Sequence, residues 1–65
     1  MLFDLDYMIR IDHVAVAPAA LSALAVRDNV RIALTGRTVT FTGPVWHDLE
    51  HARAVLFTAL IEATR

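Results

Sequence analysis

The stretch Val30-Arg31-Ile32-Ala33-Leu34-Thr35-Gly36-Arg37-Thr38-Val39-Thr40-Phe41-Thr42 decides the fold. Val30, Ile32 and Leu34 alternate with Arg31, Ala33 and Thr35, and beyond Gly36-Arg37 the alternation resumes with Val39 and Phe41 set between threonines. Period-two patterning on both sides of a two-residue break predicts a β-hairpin. Glycine at the first turn position suits a type II′ turn, which sets Thr35 opposite Thr38, Leu34 opposite Val39 and Ile32 opposite Phe41. All apolar pairs then share one face, and a slip of one residue would move them to the threonine side.

Two strands need a third to bury that face, and the chain supplies one at its start. Phe3, Leu5, Tyr7, Ile9 and Ile11 alternate with Asp4, Asp6, Met8, Arg10 and Asp12, which predicts a strand over residues 3–12 with one dry face and one wet face. Between this strand and the hairpin, Pro18 stands where a first-turn proline is tolerated and opens an alanine-rich helix over 18–27, with Leu21, Leu24 and Ala25 on its apolar side. After the hairpin, Gly43-Pro44 closes the sheet. A last helix is predicted over 45–63, with Thr42 or Gly43 as its cap and Pro44 in its first turn. Its apolar side carries Trp46, Leu49, Ala52, Leu56, Ala59, Leu60 and Ala63, with His47, His51, Thr58, Glu62 and Arg65 opposite.

The expected architecture is therefore a single α+β domain over 1–65, in the order β-α-β-β-α. A crossover of the usual right hand makes the first strand parallel to one strand of the hairpin, which predicts a three-stranded mixed sheet with both helices on one face. The other face, with Asp4, Asp6, Arg10, Asp12, Arg31, Thr38, Thr40 and Thr42, is polar.

Size and composition bound what such a domain can do. At 65 residues there is room for one core only. With no cysteine, disulfides cannot reinforce it. The chain is nonetheless 57% hydrophobic, with a mean hydropathy of +0.52. That is more apolar surface than one small core readily hides, and self-association is its natural outlet. The start, Met1-Leu2-Phe3-Asp4, is acidic and lacks a basic region ahead of an apolar run, so no signal peptide is expected. The longest uncharged stretch, 13–26, is too short and too broken to span a bilayer. A cytoplasmic protein is expected on these grounds. The net charge of −1, from six arginines and seven acids, argues against a phosphate-tracking surface and hence against nucleic acid as the partner.

Residues 29–59, from the hairpin with its Val39-Thr40-Phe41-Thr42-Gly43-Pro44-Val45 segment into the alanine-bearing helix, resemble the hairpin and second helix of BON domains. The stretch 19–25 then stands for their first helix. Here the element order looks rotated, with a strand at the start and none after the last helix. BON domains are small modules, often in bacterial envelope proteins, that are implicated in binding phospholipid or other surfaces. The resemblance implies that kind of role and transfers no catalytic residues.

Chemistry-bearing residues are few. His47-Asp48-Leu49-Glu50-His51 matches H-x-x-E-H, in which histidines four apart on a helix bind zinc and the glutamate activates water. A peptidase of that kind needs a third ligand from a distant segment and a substrate cleft, and only fourteen residues follow His51. The pair suits adventitious binding of Zn, Ni or Cu, and the plainer reading is two histidines on a solvent face. Asp4, Asp6 and Asp12 share a predicted strand face, where acids commonly serve solubility and edge protection. The sole serine, Ser22, has no nucleophile elbow around it. Thr42-Gly43-Pro44 ahead of a helix could offer amides to an anion, but Pro44 removes one donor. Phe41 and Tyr7 belong to the predicted core face, and Trp46 belongs to the core side of its helix or anchors a subunit interface.

No catalytic set and no cofactor motif emerges. The expected function is a non-enzymatic interaction module of adaptor or inhibitor type. It would act as a homo-oligomer that binds a protein partner or a ligand at the subunit interface, with Trp46, His47 and His51 as candidate binding residues. The alternatives are a BON-like phospholipid-surface module and a metal-binding protein using His47 and His51.

Overall fold

The computed structural model describes residues 1–24 and 27–65. Five main elements follow in the expected order: β1 (Phe3–Met8), α1 (Ala17–Ser22), β2 (Arg31–Thr35), β3 (Thr38–Gly43) and α2 (Trp46–Ala63), with a short 3-10 turn at Ile11–His13 between β1 and α1. The architecture is α+β, and both helices pack on one side of a three-stranded sheet.

The hairpin forms in the predicted register, with Thr35 opposite Thr38, Leu34 opposite Val39 and Ile32 opposite Phe41. Gly36 takes φ +60, and no other described residue has a positive φ, so Arg37 conforms to the second position of a type II′ turn. The sheet order is β1-β3-β2, and both pairings are antiparallel. β1 does run parallel to β2, as the crossover requires, but β3 lies between them. The mixed sheet expected from a direct parallel pairing is thus replaced by an antiparallel one. β3 takes the centre because it is the strand with the dry face best filled: Val39 and Phe41 are both fully buried, whereas β1 and β2 keep their apolar residues half-covered at the edges.

β1 stops four residues earlier than its alternation predicts. Met8 pairs with Thr38, the first residue of β3, and past that point there is no strand left to pair with. The chain is tied off instead. The Ile9 amide donates to the Arg37 carbonyl (2.9 Å), and the Arg37 guanidinium donates back to the Ile9 carbonyl through Nε (3.1 Å) and Nη2 (3.0 Å). Ile9 ends in the core, but Ile11, the next residue of the predicted dry face, is exposed in the 3-10 turn.

α1 is shorter than expected, ending at Ser22, and the expected continuation over 25 and 26 lies outside the described residues. Pro18 does sit in its first turn, and Ala17 and Ala20 are its buried residues. A six-residue helix has little stability of its own, so α1 persists where it meets α2.

α2 matches its predicted span to within one residue, but its start differs from expectation. Val45 is the cap residue and its carbonyl accepts from the amides of Asp48 (3.1 Å) and Leu49 (3.4 Å). Gly43 is the last residue of β3, paired with Phe3, and the Thr42 hydroxyl donates to Asp4 rather than capping the helix. Leu49, Ala52, Leu56 and Leu60 form the buried stripe, as predicted, but Trp46 and Ala63 are exposed. Length explains the second: a helix of 18 residues spans about 27 Å, whereas a strand of 6 spans about 20 Å. α2 therefore outruns the sheet towards its C-terminal end, where Ala63 lies, whereas Trp46 still meets Phe3 of β1 and is exposed because it lies on the flank of the stripe.

Candidate functional site

Two cross-strand hydrogen bonds occupy the aspartates of the polar sheet face. Asp4 and Thr42 are cross-strand neighbours, as are Asp6 and Thr40. Thr42 Oγ1 donates to Asp4 Oδ1 (2.9 Å), and Thr40 Oγ1 donates to Asp6 Oδ1 (2.8 Å). Asp12 does not join them, because it lies in the 3-10 turn, where Arg10 grips it through Nε (3.1 Å) and Nη2 (2.8 Å). The three aspartates thus form no carboxylate cluster. Phe41 is buried in the core and Tyr7 packs against it, so neither is a stacking platform for bases.

α2 carries the candidate site residues and sorts them onto different flanks. His47 and His51 are exposed, one helical turn apart, on the side away from the sheet. Among the described residues no third histidine, cysteine or acid joins a histidine pair to make a metal-binding group. Asp48, between them in sequence, faces elsewhere. It accepts from Asn29 Nδ2 (3.1 Å) and Arg27 Nε (3.2 Å), and so ties the segment entering β2 to the positive end of α2.

Trp46 lies at the rim and not within the core. Its ring stands edge-on to Phe3, with centroids 6.1 Å apart and planes at 74°, a favoured aromatic geometry. Leu2, Phe3, Val45 and Trp46 are all exposed, and they gather where β1 begins and α2 begins, a meeting made by the Phe3–Gly43 pairing. On the opposite flank of α2, small side chains leave an apolar groove of about 640 Å³ between the helices. Ala19, Ala23 and Leu24 form one wall, Val55, Ala59 and Ala63 the other, with Glu62 at the edge.

Sequence reasoning missed one residue. His13 is 1% exposed, and its Nδ1 has no hydrogen-bond partner. No local pattern marks it, since its burial is produced by the 3-10 turn that replaces the end of the predicted strand. An unpartnered buried polar atom costs free energy that an apolar side chain of similar size does not. His13→Leu is accordingly expected to stabilise the fold by about 1 kcal/mol, a rise in melting temperature of roughly 4–8 °C. A lower melting temperature on calorimetry would show that the imidazole is partnered in solution.

No helix among the described residues is long and apolar enough to cross a membrane. Comparison of the chain with protein families, with curated proteins and with solved structures finds no match. Its function has to be argued from these surfaces.

Proposed function

We propose that this chain is a small non-enzymatic interaction module that acts as a homo-oligomer and binds a protein partner or a ligand at the subunit interface. The observation that supports this reading is the exposed apolar cluster of Leu2, Phe3, Val45 and Trp46, gathered where β1 and α2 begin. Grouped apolar exposure with an aromatic anchor marks surfaces that become covered. His47 and His51, on the adjoining solvent face, are available to a polar rim around such a contact. Light scattering after size exclusion tests the proposal: a stable mass of at least twice the 7.2 kDa chain is expected. A folded monomer from micromolar to millimolar loading overturns it.

The same apolar tip supports a second reading, a BON-like module that lays Leu2, Phe3 and Trp46 into a phospholipid surface. Tryptophan suits the headgroup boundary, where one end of a side chain is dry and the other wet. Co-sedimentation with neutral phosphatidylcholine vesicles separates the two, because the interaction module is expected to stay in the supernatant.

A further inference from the structure

The flank of α2 that faces the open edge of the sheet carries a pattern that the core stripe does not explain. Trp46, Glu50, Arg53 and Phe57 follow one another at spacings of four, three and four residues. At 3.6 residues per turn this holds all four within an arc of about 60°, beside the buried stripe of Leu49, Leu56 and Leu60. The contact between Trp46 and Phe3 puts this flank on the β1 side, and β1 is an edge strand. α1 packs on the other flank, so this stripe meets only the margin of the sheet at Phe3 and stays partly open, with Glu50 exposed and Arg53 half-buried. Trp46 and Phe57 are 41% and 44% exposed. Among the described residues, neither Glu50 nor Arg53 takes part in an ion pair.

The stripe reads apolar, acidic, basic, apolar, and its spacings are the same from either end. A stripe with that property is complementary to its own antiparallel copy. If two α2 helices lie side by side about a two-fold axis, the register that sets Glu50 opposite Arg53 of the second copy also sets Trp46 opposite Phe57. Each pairing then occurs twice. This self-matching is what an isologous contact requires: two aromatic pairs form the dry part, and two ion pairs fix direction and register.

We infer that the partner of this flank is a second copy of the chain, docked through an antiparallel α2 pair in which Glu50 meets Arg53 and Trp46 meets Phe57 across a two-fold axis. This rests on the homo-oligomer reading above and names its interface. Pairing of the β1 edges is a poorer carrier of the contact. The antiparallel registers that keep Leu5 and Tyr7 together on the dry side set Asp4 against Asp6 or Asp6 against its own copy, and like charges directly opposite are destabilising. The α1 flank is a poorer match, since Asp48 and Glu62 there already pair within the chain.

The decisive experiment uses charge reversal and mixing, read by sedimentation equilibrium, with circular dichroism to confirm that each variant folds. Glu50→Arg and Arg53→Glu each place like charges across the axis, and each is expected to weaken self-association by about 100-fold or more. An equimolar mixture of these two variants restores opposite charges at both pairs, so it is expected to recover the dimer as a heterodimer. The doubly reversed chain, with wild-type composition, is expected to dimerise with itself. Single variants that dimerise like the wild type, or a mixture that stays monomeric, overturn the interface while the oligomer reading stands. A wild-type chain that is monomeric throughout overturns both.

Discussion

Phe41→Ala is expected to remove at least about a third of the chain's stability at 25 °C, and all of it where that stability lies at the low end for a domain of this length. Phe41 is fully buried on the central strand, with Leu5 opposite it on one side and Ile32 on the other. It is among the largest fully buried side chains of a core that also includes Ile9, Leu49, Leu56 and Leu60. Truncating a buried phenylalanine costs about 3–5 kcal/mol, because the transfer free energy of the ring is lost and the surroundings collapse only in part. A domain of this length has a stability of about 3–10 kcal/mol in all. A urea midpoint lowered by at least about a third, down to loss of the far-ultraviolet helical signal without urea, is the expected result. It should be measured at one fixed protein concentration, since association would add to apparent stability. Phe3→Ala is the contrast, as its ring is already partly exposed at the edge. A Phe41→Ala chain with a near-wild-type midpoint would be incompatible with β3 at the centre of the sheet.

Gly43→Ala is the second large effect, and it comes from space rather than backbone conformation. A Cβ on Gly43 would stand 2.7 Å from the Asn29 carbonyl oxygen and 3.2 Å from Leu49 Cδ2. The leucine methyl can turn aside, but Asn29 can retreat only by moving the backbone that leads into β2. That segment is held: Val30 next to it is buried, and Asn29 Nδ2 donates to Asp48 at the start of α2. Overpacking against a fixed backbone costs about 1–3 kcal/mol, and loosening the Asn29–Asp48 hydrogen bond adds to it. Gly36→Ala calibrates the reading. Gly36 has φ +60 with nothing within 4 Å of a Cβ, so only its positive φ opposes the change, at about 1–3 kcal/mol. Denaturation midpoints that fall further for Gly43→Ala than for Gly36→Ala are expected. The reverse order would mean that the approach of Asn29 to β3 is looser than the structure has it.

The candidate site combines features of both local and distant origin. The spacing of Trp46, Glu50, Arg53 and Phe57 was present in the sequence, as was the one-turn separation of His47 and His51. What the helical wheel could not give is which flank of α2 remains uncovered. Trp46 is grouped with the apolar stripe on the wheel, yet in the fold it lies on the flank beside that stripe and rests on Phe3 at the start of β1. That contact exists because β1 pairs with β3 as far as Gly43, a partnership between residues forty apart. His13 was illegible for the same reason, since a turn set by where β3 begins, at Thr38, carries it into the interior.

By itself the sequence determined the elements whose patterns are local. The hairpin and its register, the span of α2, its buried leucines and the wet and dry faces of the sheet all follow from periods of two and 3.6 that a segment carries without reference to its neighbours. Tertiary structure alone decided that β3 is central, that β1 ends at Met8, that α1 stops at Ser22, that His13 is buried and that one flank of α2 is left open. Periodicity says which side of a segment must be dry. How far that segment continues, and what covers it, depends on where its partners begin and end, and those partners lie far away along the chain.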